Sequence, residues 1–276
     1  MKVLTYNIHG WRTPDGATNL GRVAEVIAAS QADLVGLNEV FHPWPASEDD
    51  ALMTLAARLG MGYAFGPTLA ETQSPRNVPY GNALLSRWPI LAYAAHRLPL
   101  TSGHEPRGLL EVRVMLPAGR PFTIYVIHLD HRSEAVRLTQ WAAAQTWLSR
   151  ERGRLHLVMG DFNALASSDY PTLETQAAVA HHNESREWVS PAFDLISQVL
   201  KAGYVDAFAY AGGQPGDGAT WPNPQPERRI DYVLLPSAWA GDLASCRRFE
   251  HPLAGQTSDH LPVLAELHAP DKCATP

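Results

Sequence analysis

Side chains that can bind cations and move protons recur at the ends of apolar segments of this sequence. In LVMGDFNA, Asp161 and Asn163 directly follow such a segment. Comparable positions are held by Asn7, Glu39, His128, Asp130, Asp231, Asp259 and His260. One polar residue at a strand end ordinarily marks where the strand meets solvent. Six such ends in one chain instead indicate a site gathered at a sheet edge, since carboxylates bind hard cations and activate water.

Strands and helices must position these residues, and the hydrophobic pattern predicts that the two alternate. Between the first two predicted strands, NLGRVAEVIAAS places its apolar residues on one helical face, which makes a β-α-β unit. Further helices are predicted at 50–59, 133–150 and 191–201. The predicted strands are KVLTYN, ADLVGLNEV, GNALLSRWPI, LLEVRVML, FTIYVIHL, LHLVMGD, IDYVLLP and LPVLAEL. Many strands with helices outside them predict two packed sheets in an α/β sandwich.

The composition of the chain allows one large core. With 276 residues and 45% hydrophobic residues, we expect a single domain over residues 1–268 and a short tail over 269–276. Cys246 and Cys273 show no CxxC or zinc spacing, so they indicate neither a disulfide framework nor a metal site. The sequence has no run of 18 apolar residues, and its first ten residues resemble a strand more than a leader peptide. We therefore expect a soluble, cytoplasmic protein that acts as a monomer.

The net charge bears on the kind of partner. A formal charge of −6 argues against a broadly basic surface that coats nucleic acid, although it is compatible with a local basic groove. Such a groove could be assembled from Arg76, Arg107, Arg132 and Arg228. Nucleic acid is therefore an open but disfavoured partner, and a smaller phosphate ester is favoured.

Several segments together resemble the endonuclease/exonuclease/phosphatase superfamily, which has the DNase I-like fold. They occur in the family's order along nearly the whole chain, and GDFN, SDH and the upstream NE are the most specific of them. The segments are TYNIHG, LVGLNEV, YGNALLSRWPI, IHLDHRSEAVRLTQ, GDFNA, RRIDYVLL and SDHLPV. The resemblance implies a four-layer α/β sandwich of two packed mixed β-sheets flanked by helices. It also implies Mg²⁺-dependent cleavage of phosphate esters, with Mn²⁺ as an alternative metal.

The resemblance assigns roles to the acids and amides. Asp161 would orient or deprotonate the attacking water, and Asn163, on the same side of an extended chain, would donate to a phosphate oxygen. Glu39 would bind the metal first, because Mg²⁺ prefers hard oxygen ligands. Asn7 would join it by carbonyl coordination or through a water. Asp259 would complete the metal site or hold the neighbouring histidine.

The resemblance assigns the histidines to the phosphate. His260 matches a histidine that contacts the scissile phosphate, and Asp231 matches the carboxylate that keeps this histidine protonated at neutral pH. His128 resembles a second active-site histidine. The segment that follows it resembles relatives that cleave phospholipids or sugar phosphates more than DNA-repair enzymes.

The sequence leaves the roles of several other residues open. Asn82 and Arg107 fit family positions that face the phosphate or its flanks, but Arg107 could equally be a solvated surface arginine. Asp130, a further candidate for substrate binding, and His131 could serve instead as a helix N-cap or in a loop. Aromatic residues near the motifs could stack on the substrate or simply pack; they are Trp11, Trp44, Tyr80, Trp88 and Trp221.

Two enzyme functions are consistent with these residues. One is a phosphodiesterase or phosphatase that acts on a small or lipid-derived ester, and the other is a metal-dependent endonuclease or exonuclease. The first is favoured because the chain has no Lys- or Arg-rich run. A catalytically inactive binding module is disfavoured, because every acid and amide expected from the family is present.

Overall fold

The structure, a computed structural model, describes residues 1–46, 49–74, 76–151, 153–185 and 190–268. Within these ranges, six helices form: α1 (Leu20–Ser30), α2 (Ala51–Leu59), α3 (Glu134–Leu148), α4 (Leu173–Ser185), α5 (Asp194–Lys201) and α6 (Ala207–Tyr210). The strands in the same ranges are β1 (Lys2–Asn7), β2 (Leu34–Phe41), β3 (Pro45–Ala46), β4 (Asp49–Asp50), β5 (Gly62–Leu69), β6 (Tyr80–Ser86), β7 (Ile90–Arg97), β8 (Gly108–Met115), β9 (Pro121–His128), β10 (His156–Asp161), β11 (Tyr204–Asp206), β12 (Asp231–Pro236), β13 (Leu243–Arg248) and β14 (Val263–Leu267). The predicted tail, with Cys273, lies outside the described residues, and Cys246 is a buried free thiol.

Twelve of these strands form two six-stranded mixed sheets, as the sequence predicts. The first sheet has the order β13-β14-β1-β2-β6-β5, and the second has the order β11-β12-β10-β9-β8-β7. In each sheet one central pair is parallel, β1 with β2 and β9 with β10, and the other pairs are antiparallel. Parallel pairing brings the carboxyl ends of both strands to the same edge.

Alternation along the strands divides the core into three layers. Val3 and Met159 belong to the apolar layer between the sheets. Leu4, the next residue after Val3, packs outward against the side of the first sheet covered by α1 and α2. Val158 packs outward on the opposite side, where α3 and α5 cover the second sheet. The result is helices, sheet, sheet and helices, the predicted four-layer sandwich.

Some element boundaries differ from the prediction. GNALLSRWPI does not form one strand: β6 ends at Ser86, whose hydroxyl accepts from the backbone N–H of Trp88 and donates to its carbonyl. The chain then enters β7, which belongs to the other sheet. Helix α5 begins at Asp194 and not at 191, and α2 begins after Asp50, whose carboxylate caps it by accepting from the Met53 N–H. No helix in the described part of the chain is long and apolar enough to cross a bilayer.

The glycine before Asp161 is required by the packing of two strands. Gly160 has a φ of 142°, and a Cβ at this position would lie 1.9 Å from the carbonyl oxygen of Ile127 on β9. Backbone atoms of a central strand cannot move aside without breaking the ladder. The glycine of the GDFN motif is therefore structural, and it allows Asp161 to approach β9 closely.

Replacing this glycine should be costly. We expect Gly160→Ala to lower the free energy of unfolding by more than about 2 kcal/mol, because it adds backbone strain and a clash in the core. Gly21→Ala is the matched control: Gly21 lies in α1 with open space around its Cβ position, and alanine there should stabilise by about 0.5–1 kcal/mol. Urea denaturation of both variants measures the difference. Wild-type stability of Gly160→Ala would contradict the proposed close approach.

Candidate active site

A cavity of about 340 Å³ opens at the edge where the polar strand ends meet. Seven residues selected from the sequence line it: Glu39, Arg107, His128, Asp161, Asn163, Asp259 and His260. Asn7 and Asp231 lie directly behind this wall, where they contact Asp161 and His260. The structure thus brings together nine residues that are scattered along the chain.

Strand pairing explains why Asp161 is at the centre of the cluster. Parallel pairing of β10 with β9 sets Asp161 beside His128, and antiparallel pairing with β12 sets it opposite Asp231. One Asp161 oxygen, Oδ2, lies 3.1 Å from Asn7 Nδ2 and 3.4 Å from His128 Nε2. Asp161 as a whole residue is 1% exposed. Burial and the neighbouring Asp231 carboxylate raise its pKa to about 7.

Asp231 and His260 form a buried carboxylate–imidazole pair. The His260 Nδ1 lies 2.9 Å from Asp231 Oδ2, which also accepts a hydrogen bond from the Thr220 hydroxyl. Burial opposes protonation of the imidazole, but the carboxylates of Asp231 and Asp161 outweigh it and raise the His260 pKa to about 10. The other ring nitrogen, Nε2, lies 3.4 Å from Asn7 Nδ2 and 3.7 Å from Asp161 Oδ2. The raised pKa favours the imidazolium form, whose Nε2–H faces Asp161 at the cavity wall.

His128 is a neutral histidine of defined tautomer. Arg107 is a permanent donor, so its contact of 3.1 Å with His128 Nδ1 makes that nitrogen an acceptor. The proton is then on Nε2, which faces Asp161. Burial and the Arg107 charge lower the His128 pKa well below its usual value. Arg107 is 4% exposed and also contacts His131 Nδ1 at 3.0 Å, so the alternative of a solvated arginine is wrong.

Glu39 faces the cavity because of an irregularity in β2. The register of β2 against β6 shifts between Leu37 and Val40, and Glu39 has a φ of 61°. A bulge of this kind turns a side chain away from the alternating pattern. Asn7 lies beside Glu39, but its orientation differs from the prediction: Nδ2 donates to Glu39 Oε1 at 3.0 Å, while Oδ1 accepts from the His9 N–H. Direct carbonyl coordination by Asn7 does not fit this arrangement.

Asp259 lies on the rim of the cavity. Its Oδ1 is 3.0 Å from His9 Nδ1, and its Oδ2 accepts from the Trp221 indole N–H at 3.3 Å. Burial opposes ionisation, but the His9 hydrogen bond and the His260 charge lower the Asp259 pKa to about 2. The carboxylate is thus held by His9 and Trp221, whereas Asp231 holds His260, so the alternative that Asp259 holds the adjacent histidine is wrong.

Asn163 lines the cavity by a different geometry from the one predicted. It is not part of an extended strand: its φ is 49°, and its backbone N–H donates to Asp161 Oδ1. Its Nδ2 donates to the Leu129 carbonyl at 3.1 Å. Because an amide nitrogen carries two hydrogens, the second N–H remains for a ligand.

Two predicted substrate residues do not line the cavity. Asn82 is 1% exposed and donates to the carbonyls of Gly108 and Val126, so its polar groups serve the interior between the sheets. Asp130 is fully buried; it contacts His104 at 2.8 Å and accepts from the backbone N–H groups at 132 and 133. Asp130 therefore has the loop role that the sequence left open.

Asn38, which the sequence prediction did not include, joins the two sheets at this site together with Asn82. Its Nδ2 donates to Asn82 Oδ1 on the first sheet and to the Ile127 carbonyl on the second, both at 2.9 Å. Its Oδ1 accepts from the Asp161 N–H. The segment LVGLNEV could have indicated Asn38, because a polar amide there interrupts a run of apolar residues in a predicted buried strand. The aromatic residues include both predicted kinds, those that pack and those that could contact a substrate. Trp11 is buried in the core, whereas Tyr80 and Trp221 line the cavity.

The donor set fits a divalent cation. Glu39, Asp161 and Asp259 present carboxylate oxygens to one cavity, and these are the ligands that Mg²⁺ prefers. Burial and the Asp231 carboxylate raise the Asp161 pKa, and a bound cation would stabilise the charged form of this carboxyl group. Within the described ranges, the group of three His, Cys, Asp or Glu side chains whose ligand atoms lie within 4.8 Å of one another is Asp161, Asp231 and His260. His260 Nδ1 and Asp231 are already paired, so this trio is better suited to charge stabilisation than to a metal cage.

Comparison with known sequences and structures shows what the chain is similar to. The sequence model of the Endonuclease/Exonuclease/phosphatase family matches residues 4–260 of this chain. No curated protein sequence matches the chain significantly. A protein of this family from Beutenbergia cavernae has a TM-score of 0.72 at 25% identity, with 98% of this chain and 72% of that chain covered.

Two further similar structures are of proteins named as phosphatases. The mannosyl-6-phosphatase Bt3783 of Bacteroides thetaiotaomicron has a TM-score of 0.68 at 18% identity, over 98% of this chain and 100% of that one. The 3' phosphatase NExo from Neisseria, bound to a product DNA hairpin, has a TM-score of 0.67 at 19% identity, with the same coverage. At these identities the likeness concerns the fold.

Proposed function

The chain belongs to the endonuclease/exonuclease/phosphatase family, whose members hydrolyse phosphoester bonds, and we propose that it is a Mg²⁺-dependent phosphodiesterase or phosphatase of small or lipid-derived esters. One observation carries the proposal: a buried carboxylate, Asp161, lies within 3.7 Å of a cationic and a neutral histidine, His260 and His128, on the wall of a cavity. This arrangement combines a base with donors for a phosphate.

In the proposed reaction, Asp161 orients and deprotonates the attacking water. The Asn7 amide and the His128 Nε2–H both face Asp161 Oδ2 and hold the carboxylate in place. Burial and the Asp231 carboxylate raise its pKa in the metal-free protein, which is the direction that suits a general base near neutral pH.

The phosphate would be bound by donors on the opposite side of the water. The His260 Nε2–H stabilises charge that develops on the phosphoryl oxygens, and Asp231 keeps the imidazole protonated and oriented. Arg107 and the second N–H of Asn163 supply further donors at the cavity wall. Fixed donors of this kind cost no reorganisation when charge develops.

Glu39 and Asp259 are the residues that would hold the metal, with Asp161 adjacent to them. A bound Mg²⁺ would neutralise charge on the phosphate during the reaction. Asn7, predicted to join the metal by its carbonyl or through a water, has its amide nitrogen between the Glu39 and Asp161 carboxylates. It keeps these two like charges in a fixed relation.

The shape of the cavity supports a small substrate. Its volume of about 340 Å³ is that of a site for a small molecule. Asn183 and residues 190–192, from the region after β10, contribute to its wall, as do Leu165 and Ile230. This wall combines polar with apolar groups, as a phosphate ester with a sugar or lipid portion requires. The fold shared with a mannosyl-6-phosphatase is consistent with this class.

The nuclease alternative is supported by the arginines of the cavity. Arg107, Arg132, Arg137 and Arg228 all line it, so part of the predicted local basic groove exists. Arg76 is not among the lining residues; its guanidinium lies over the Phe41 ring at 4.6 Å.

Cytoplasmic location and a monomeric state remain predictions.

Metal dependence is the first test. We expect purified protein to lose phosphoesterase activity after exhaustive treatment with chelator and to regain it with Mg²⁺ or Mn²⁺. Glu39→Gln should raise the metal concentration needed for half-maximal activity by at least about tenfold, because it removes a charged ligand. Full activity of the chelated wild-type protein would contradict the proposed site.

The second test concerns the residues that act on water and phosphate. Asp161→Asn and His260→Ala should each lower kcat by about 10²-fold or more, and Asp231→Asn should cost less than His260→Ala because it only removes the partner. Thermal unfolding is the control for folding: Asp161→Asn removes an uncompensated buried charge, so its Tm without metal should equal or exceed that of wild type. Wild-type turnover in both Asp161→Asn and His260→Ala would refute the assignment.

Salt separates the two enzyme functions. Binding of a polyanion releases counterions and weakens steeply as salt rises, whereas a small ester shows a shallow dependence. We expect bis-p-nitrophenyl phosphate to be hydrolysed with Mn²⁺, with kcat/KM changing less than about threefold between 50 and 200 mM salt. Efficient, salt-sensitive nicking of plasmid DNA that His260→Ala abolishes would establish the nuclease function instead.

A further inference from the structure

Three consecutive residues after β1 adopt a left-handed backbone, which is strained at the two that carry side chains, His9 and Trp11. Residues His9–Trp11 have φ values of 55°, 61° and 63°, a conformation that costs a residue with a side chain about 1 kcal/mol or more. The segment is anchored at both ends: the His9 N–H donates to Asn7 Oδ1 at 3.1 Å, and the Trp11 indole donates to the Phe41 carbonyl at 2.7 Å. Such strain persists where surrounding contacts determine the conformation.

The strained segment delivers one side chain to the rim of the cavity. The His9 imidazole Nδ1 lies 3.0 Å from Asp259 Oδ1, although the two residues are 250 positions apart. The other oxygen of Asp259 is held by Trp221, and its Oδ1 is also 3.4 Å from the Ser258 hydroxyl. The Asp259 side chain is 29% exposed, so without these partners it could adopt other rotamers.

We propose that His9 is a positioning residue that fixes the Asp259 carboxylate in the orientation that binds the divalent cation. The inference rests on the proposed metal-dependent function and extends it to a residue outside the predicted site. An ordinary surface ion pair contributes little free energy and needs no strained backbone. Partners of a metal ligand, in contrast, typically change metal affinity 10- to 100-fold when they are removed.

The test measures Mn²⁺ binding to metal-free protein by calorimetry, without substrate. His9→Gly removes the imidazole but accepts the left-handed backbone at no cost. We expect it to raise the Kd for Mn²⁺ by about tenfold, with the same stoichiometry and an unchanged Tm in chelator. Glu39→Gln is the reference for loss of a direct ligand. His96→Ala is the matched control. His96 lies on β7, is not among the residues that line the cavity, and has its Nε2 2.8 Å from Glu111 Oε2. The His96→Ala variant should bind Mn²⁺ with the wild-type Kd.

His9→Ala separates the role of the ring from that of the backbone. Alanine also lacks the imidazole but retains the strain, so its Kd should match that of His9→Gly while its Tm is lower. An unchanged Kd in His9→Gly, beside a weakened one in Glu39→Gln, would overturn the positioning role alone. A lower stoichiometry in His9→Gly would make His9 a ligand and overturn it as well. Failure of the wild-type protein to bind Mn²⁺ would overturn both this inference and the proposed function.

Discussion

The hydrogen bonds of Asn38 across the interior set the geometry on which the site depends. This amide is fully buried and bonds to both sheets and to the Asp161 backbone. Each buried polar group left without its partner would cost about 1–3 kcal/mol, so the sheets are fixed in one relative position at this edge. The next residue in the chain is Glu39. Asn38 thereby defines the relation between the carboxylate on β2 and the carboxylate on β10.

The same edge concentrates charge that the fold alone does not neutralise. Asp161 and Asp231 face each other from paired strands, and within the described ranges His260 lies close to both of them. An arrangement selected for stability would have replaced one of these acids by an apolar residue. Unfavourable charge kept at such a place is typical of sites whose compensation comes from a ligand. The arrangement therefore favours binding of a cation and an anion together.

The sequence predicts the layers of the sandwich and the residues of the candidate site better than it predicts the directions in which their side chains point. KVLTYN matches β1 residue for residue, because its apolar run ends at a polar residue and lies buried between neighbours. Strand β7 was missed because it is an edge strand with an exposed, non-alternating sequence. Asn7 and Asn163 were placed correctly at the edge, but their amides point where local hydrogen bonds direct them. Residue type and spacing carry no information on such rotations, nor on the bulge that aims Glu39.

The pairing of the first and last strands of the described sheet has a consequence for synthesis of the protein. Strand β1 lies between β2 and β14, and Asn7 meets His260 across a separation of 253 residues. A ribosome adds about 5–20 residues each second, so the amino-terminal half of the site waits many seconds for its partner. Once Asp161 has been added, the nascent chain still lacks His260 and β14, the strand that pairs with β1. A chain that ends before residue 260 therefore leaves this edge of β1 unpaired, and the polar strand ends cannot form the complete cavity wall.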